Sequence, residues 1–412
     1  MLFPPSQHPG SRPGVVVTGA GIITSLGRGW KANAEGFRAG RIAISDVTLF
    51  DVTRQRVKVA GEVALPDLPA TRLEPRDIRR MERAARLLLI AAHEAWVQAG
   101  WEPSEDLPVV LGTTSGGMSL GEQYYRQAIE TPFSHRGQPR RILHYQPQRQ
   151  ALDLANAFGF TGPITIIANA CASGANAIGH AWELIRGGRA QRVFTGGFDG
   201  LSQLVFSGFD SLQALSPTRC RPFDAARDGL ALGEGAAILA LEALESARSR
   251  NAIILGEITG YGATTDCHHL TQPHPQGDAA FASMSAAAAS ASLTPDRIGY
   301  INAHGTGTPL NDSAEAAAIN RWAGAHAGSL PVSSTKSSIG HLLGAAGAVE
   351  SVVCLMALKE QWLPPTSTLE NAEPLCAFPI VRKPVDAKID YALSNSFGFG
   401  GANASLIFRR WN

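Results

Sequence analysis

Ile166-Ile167-Ala168-Asn169-Ala170-Cys171-Ala172-Ser173-Gly174 is the stretch whose reading decides the fold. The residues leading into Cys171 (PITIIANA) are short, apolar and partly β-branched, the pattern of a buried strand. Those that follow (ASGANAIGHAWELIRGG) form helices readily and stop at Gly187-Gly188, a helix end. Cys171 therefore falls where a strand hands over to a helix, and Ala172, Ser173 and Gly174 keep that turn small enough for a close approach. A thiol at a helix N-terminus meets unpaired N–H groups and the positive end of the dipole, so its thiolate is expected to be favoured. A cysteine buried for packing is the commoner case, and position alone does not displace it.

The second half of the chain does. Asn302-Ala303-His304-Gly305-Thr306-Gly307-Thr308-Pro309 follows the apolar run Ile298-Gly299-Tyr300-Ile301, which puts His304 at a strand end. Ser333-Ser334-Thr335-Lys336-Ser337-Ser338-Ile339-Gly340-His341 opens a small-residue helix. Asn395-Ser396-Phe397-Gly398-Phe399-Gly400-Gly401-Ala402-Asn403 lies near the C-terminus. With these motifs the sequence resembles the β-ketoacyl-acyl-carrier-protein synthases, most closely the type II (KAS II-like) elongating enzymes, from about Val15 to Phe408. The resemblance implies an α/β chain in the thiolase-like five-layered αβαβα fold, built from two similar halves and usually found as a homodimer. No internal repeat is read from residue identity. The expected division is a loose arm at 1–13, a first half at 14–252 carrying Cys171, and a second half at 253–412 carrying His304, His341 and the glycine-rich segment.

Composition agrees with an α/β enzyme. The chain has 412 residues, enough for a large core, and 36 basic against 35 acidic side chains, a balance that argues against nucleic-acid binding. Five cysteines without metal-ligand spacing point to a reducing cytoplasm and neither a disulfide framework nor a metal site. No stretch reads as a signal peptide or reaches membrane-spanning length, so no membrane insertion is expected. Val15-Val16-Val17-Thr18-Gly19 reads as a first strand ending in a glycine turn; Gly19-Ala20-Gly21 lacks the third glycine of a dinucleotide loop. Strands are also expected at Pro108–Gly112, Arg192–Thr195 before a Gly196-Gly197 turn and Gly235–Leu241, and a second strand-helix series is expected to start near Ile253–Glu257. One long helix is expected from Asp77 to Gly100, its basic start a solvated face by composition.

The resemblance assigns roles residue by residue. Cys171 is the acyl-accepting nucleophile. His304 and His341 stabilise the malonyl thioester oxygen as CO2 leaves, and Lys336 orients His341 together with a Glu315 or Glu350 network. The N–H groups of Cys171 and Phe399 form the oxyanion hole, with Phe399 and Gly398 as gate. Thr306 and Thr308 touch the phosphopantetheine arm. Thr114, Ser115 and Phe209 line the acyl pocket, and small polar residues there fit a polyene, aryl or polyketide-like chain as well as a saturated one. Asn169 and Ala402 stand where threonine is common. His93 and His180 read as structural. Arg76, Arg79, Arg80, Arg140 and Arg141 are the expected docking surface for an acidic acyl carrier protein. No cofactor is implied, since substrates ride on the carrier's arm. Two other functions compete with the condensing enzyme. A non-catalytic chain-length factor, partnered with another ketosynthase as a heterodimer, would typically lack the cysteine. A thiolase-like or hydrolytic cysteine enzyme is the third reading, and a second histidine in place of a second cysteine counts against the thiolase.

Overall fold

The computed structural model describes residues 12–102, 107–134 and 136–412; residues 1–11 of the expected arm lie outside them. The scaffold strands are β1 (Val15–Thr24), β2 (Val109–Gly112), β3 (Ile164–Ile167), β4 (Arg192–Asp199), β5 (Gly235–Ala243), β6 (Gly256–Thr265), β7 (Tyr300–Asn302), β8 (Val332–Ser333), β9 (Tyr391–Phe397) and β10 (Ala402–Arg409). The main helices are α1 (Arg83–Ala99), α2 (Ser173–Arg186), α3 (Asp278–Ala291), α4 (Pro309–Ala323) and α5 (Ala346–Glu360).

The strand order is β3-β2-β4-β5-β1, then β6-β10-β9-β7-β8. Counted from its own first strand, each module runs first, fifth, fourth, second, third. The pairing sense repeats too: β1/β5 and β5/β4 are antiparallel while β4/β2 and β2/β3 are parallel. In the second module β6/β10 and β10/β9 are antiparallel while β9/β7 and β7/β8 are parallel. The modules join through three antiparallel pairs, Val15 to Ile258, Val16 to Glu257 and Val17 to Gly256.

Three apolar layers separate and cover the two modules. The first packs α1 residues such as Leu87, Leu88 and Ala92 onto Val109, Leu111 and Phe194. The middle one interleaves Ala175, Ile178 and Trp182 of α2 with Val349, Val352 and Val353 of α5. The third sets Met284 of α3 and Ile319 of α4 against Ile301, Leu393 and Ile407. Helix, sheet, helix pair, sheet, helix is the five-layered architecture that burying both faces of each module requires. α5 is buried from Ala346 to Leu358, which explains a helix apolar all round. No described helix is long and apolar enough to cross a membrane.

Three local expectations change. The 77–100 helix is broken: a short turn at Pro75–Ile78 precedes α1. Glu82 between them is extended and caps α1, accepting from Ala84 N at 2.6 Å and Ala85 N at 3.4 Å. Side-chain capping thus overrides a continuous helical pattern. Gly19 does not end β1, which continues through Gly21 to Thr24. A Cβ at Gly19 would lie 2.2 Å from Ala95 O, and one at Gly21 1.9 Å from Ala91 O, so both glycines let α1 lie directly on the strand. Likewise β4 runs through Gly196-Gly197 to Asp199.

Gly21→Ala is therefore expected to destabilise the fold by about 1–3 kcal/mol through overpacking. Thermal unfolding measures this, and an unchanged melting temperature would refute the contact.

Candidate active site

Cys171 sits on a strained elbow. After β3 the chain makes one 3-10 turn, Ala170–Ala172, before α2. Ala170 takes φ +55°, unusual for a residue with a Cβ. Its carbonyl accepts from Ser173 Oγ at 2.5 Å and Thr114 Oγ1 at 3.1 Å, and Asn169 N donates to Ser173 Oγ at 2.9 Å. Gly398 lies against the turn: a Cβ there would be 3.1 Å from Cys171 N. The backbone N–H groups of Phe399 and of Cys171 itself both point to the Cys171 sulfur.

Cys171 is 5% exposed. Burial pushes its thiol up to about 12, against the attraction of Lys336 and helped by the Asp199 charge. The expected thiolate is thus corrected: desolvation outweighs Lys336 and the two N–H groups, and the resting group is a thiol.

His304 follows β7, and the Glu315 carboxylate on α4 holds its turn, accepting from His304 N at 2.9 Å and Gly305 N at 2.7 Å. Asn395 Nδ2 donates to the same carboxylate at 3.2 Å. His341 is fixed by its backbone, its N–H donating to Ala231 O at 2.7 Å and its carbonyl accepting from Gly233 N at 3.0 Å. The two rings stand 5.2 Å apart, nearly perpendicular at 84°. Burial first, then the Lys336 charge, holds both imidazoles well below the ordinary histidine range, so both are neutral. Lys336, 1% exposed, pairs with Glu350; of the two carboxylates considered for its network, Glu350 is the partner and Glu315 serves the His304 turn. Burial raises Glu350 to about 7, with Lys336 opposing.

Cys171, His304 and His341 line one cavity of about 370 Å³, together with Thr306, Thr308 and the Phe397–Gly401 segment. Asp312 Oδ1 accepts from Thr306 N at 2.9 Å, and the Thr306 and Thr308 hydroxyls are 2.8 Å apart. Phe399, 39% exposed, stacks on Phe209 with ring centres 5.8 Å apart. Phe209 lines the cavity; Thr114 and Ser115 do not. Both are instead bound to Asp199, a buried carboxylate with no sequence signal beyond its place at a strand end. Among the described residues no His/Cys/Asp/Glu group is arranged to hold a metal.

Of the basic residues, Arg76, Arg79 and Arg80 are exposed, the last two in the turn before α1. Arg140, on the helix Gln138–Tyr145, is close enough to Arg80 for its pKa to be lowered by burial and then by that charge. Arg149 joins the same cluster, unforeseen because it belongs to the next helix, Pro147–Phe158. Arg141 turns away to Gln127.

A resting thiol makes a measurable difference. Iodoacetamide alkylation of Cys171 is expected to keep accelerating with pH beyond about pH 9, since a raised pKa leaves the thiolate scarce at neutral pH. A rate that levels off near neutrality would show a preformed thiolate.

Similarity to known proteins follows the same residues. Residues 12–247 match the family description "Beta-ketoacyl synthase, N-terminal domain", and residues 255–370 match "Beta-ketoacyl synthase, C-terminal domain". The 3-oxoacyl-[acyl-carrier-protein] synthase 2 of Synechocystis sp. is 39% identical over 416 residues, covering 96% of this chain and 98% of that protein. Among solved structures, the ishigamide ketosynthase/chain length factor superposes with a TM-score of 0.92 at 32% identity, covering 98% of this chain and 100% of that one. A type II polyketide synthase acyl-carrier protein in complex with its ketosynthase, bound to the hexaketide, has a TM-score of 0.88 at 27% identity over 97% and 100%. With the nucleophile elbow and the paired histidines on facing modules, these matches place the chain in the β-ketoacyl synthase family.

Proposed function

We propose that this β-ketoacyl synthase elongates a Cys171-bound acyl chain by decarboxylative Claisen condensation with a malonyl group carried on acyl carrier protein. The observation that carries this reading is the opening of Cys171 and two neutral imidazoles onto one cavity. In the first half-reaction Cys171 Sγ forms a thioester with the incoming acyl carbonyl, the carrier thiol departs, and the Cys171 proton leaves with it. The N–H groups of Cys171 and Phe399 receive the tetrahedral oxyanion. In the second, His304 and His341 donate to the malonyl thioester oxygen while the C–C bond to the carboxylate breaks and CO2 leaves. The enolate carbon then attacks the Cys171 thioester, and the sulfur departs and regains a proton. Donors that are neutral before reaction suit this task, because a charged imidazolium would hold the malonyl carboxylate that has to leave. Lys336, paired with Glu350, is close enough for its charge to help keep both imidazoles neutral.

Thr306 and Thr308 at the cavity wall suit the amides of a phosphopantetheine arm, and Phe399 stacked on Phe209 suits a gate to the acyl pocket. No cofactor is needed. Retention of Cys171 favours the enzyme over a chain-length factor. The half-buried edge strand β3 and exposed apolar side chains such as Tyr125, Ile129 and Phe133 support pairing with a second ketosynthase-like chain, a copy of this one or a relative. The cluster around Arg76, Arg79, Arg80 and Arg140 supports docking of an acidic carrier.

The test is acylation followed by intact mass. Acyl-carrier protein should add one acyl group at Cys171, and Cys171→Ala should abolish both acylation and condensation. His304→Ala and His341→Ala should each lose malonyl decarboxylation by roughly two to three orders of magnitude while Cys171 still acylates. Decarboxylation at the wild-type rate in both would remove the histidines from the mechanism. Reversing Arg76, Arg79 and Arg80 to Glu should raise KM for carrier-bound substrate severalfold and make little difference to a small pantetheine thioester. Exposed charges contribute about 0–1 kcal/mol each, so the effect is collective. Equal losses on both substrates would contradict docking there.

A further inference from the structure

Asp199 closes β4 with its side chain fully buried and, among the described residues, with no ion-pair partner within reach. Its Oδ1 accepts from Thr113 Oγ1 at 2.7 Å, Ser115 N and Ser115 Oγ at 2.8 Å, and Gly116 N at 3.3 Å. Its Oδ2 accepts from Thr114 N at 2.9 Å and Gly344 N at 2.7 Å. Four of these donors are backbone N–H groups, which cannot accept a bond in return. Burial raises this carboxyl, and the hydrogen bonds from Thr113, Thr114 and Ser115 oppose that by favouring the anion. Burying a carboxylate without a cation is costly unless its lone pairs are used.

What the carboxylate gathers leads to both halves of the reaction centre. The turn Thr113–Gly116 presents Thr114, whose hydroxyl donates at 3.1 Å to the carbonyl of Ala170. That carbonyl and the N–H of Cys171 belong to one planar trans peptide, so fixing the direction of the carbonyl fixes that of the N–H. Ala170 at φ +55° does not hold this peptide by its own preference. On the other side, Gly344 lies between His341 and the start of α5, which carries Glu350. A Cβ at Gly344 would meet Thr114 N at 2.5 Å, so the two turns touch where the carboxylate joins them.

We propose that Asp199 is a positioning residue for the condensation: through Thr114 and the Ala170 carbonyl it aims the Cys171 N–H at the oxyanion, and through Gly344 it sets the spacing between Cys171 and His341. The inference rests on the condensing mechanism proposed above. The Asp199 charge also opposes a Cys171 thiolate, in keeping with a thiol that gives up its proton only during acyl transfer.

Two variants separate these effects. Thr114→Val removes the hydroxyl and keeps the Asp199 charge; Asp199→Asn removes the charge and sets an amide N–H against N–H donors. Each is expected to lower kcat for acyl transfer by about tenfold, less than the loss of an oxyanion donor outright, with KM for carrier-bound substrate within about twofold. Thr114→Ser should recover most of the loss. Iodoacetamide alkylation of Cys171 at about pH 8 should speed up severalfold in Asp199→Asn and stay at the wild-type rate in Thr114→Val, because only the first alters the charge facing the sulfur. If Asp199→Asn does not fold, the Thr114→Val and Thr114→Ser pair decides. Wild-type kcat in Thr114→Val, or no recovery with Thr114→Ser, overturns the proposal, as does unchanged alkylation in a folded Asp199→Asn. A wild-type protein that never acylates Cys171 would instead overturn the proposed function.

Discussion

Cys171 and His341 come from different modules, and they meet because the helices that follow them cross at glycine. A Cβ at Gly174, in the first turn of α2, would lie 2.6 Å from Gly344 O, and one at Gly347, in the first turn of α5, 2.8 Å from Ala175 N. Gly197 on β4 closes the contact from beneath, with 2.7 Å between its would-be Cβ and the same Gly344 carbonyl. Backbones packed this closely leave no room for adjustment. The reacting groups sit just before the crossing, on short turns whose direction the crossing fixes. A site required to hold a nucleophile and two donors within one cavity gains its rigidity from the scaffold and not from long side chains.

Burial then sets the charge state. The same close packing that excludes water raises the Cys171 thiol and lowers both histidines. Cys171, His304 and His341 are therefore neutral at rest, and none of the three carries a charge of its own into either proposed half-reaction. Fixed N–H dipoles and neutral imidazoles act most strongly on charge that appears only in the transition state. Lys336 would upset this balance if unpaired, and Glu350, on the buried helix α5, offsets it. Breaking such a pair leaves an uncompensated charge in the core, which ties activity and folding together at this position.

Much of this was legible in the sequence. The strand before Cys171, the helix ending at Gly187, the strand before His304 and the small-residue turn at His341 all follow from local pattern. The internal repeat was not read from residue identity, and the structure shows where its trace lies. Thr18-Gly19-Ala20-Gly21 and Thr259-Gly260-Tyr261-Gly262 occupy the first strand of each module. In both, the glycines seat a covering helix, α1 or α3, on the strand, and the threonine hydroxyl donates to the last strand of its module, at Ala240 O and Ile407 O. Two glycines at a spacing of two read locally as a turn; only the helix packed on them shows that they belong inside a strand. Long-range polar contacts left no such trace. Nothing around Glu82 marks it as a cap within a helical run, and nothing near Asp199 announces the loop 85 residues earlier that it organises. The roles of Thr114 and Ser115 shifted for the same reason, since their partner is distant in the chain.

The repeat also explains how the labour is divided. In both modules the second, third and fourth strands end toward the same side, the usual place for a site in an open α/β sheet. In the first module these ends carry the Thr113–Gly116 turn, the Cys171 elbow and Asp199. In the second they carry His304, then Lys336 with His341, then Phe399. The corresponding fourth-strand ends differ: one closes on a fully buried carboxyl tied by six hydrogen bonds, the other opens into glycines around a half-exposed phenylalanine. One end is held from several sides by its hydrogen bonds; the other opens onto the cavity. The repeated scaffold supplies both ends at equivalent positions, where a single module would have had only one.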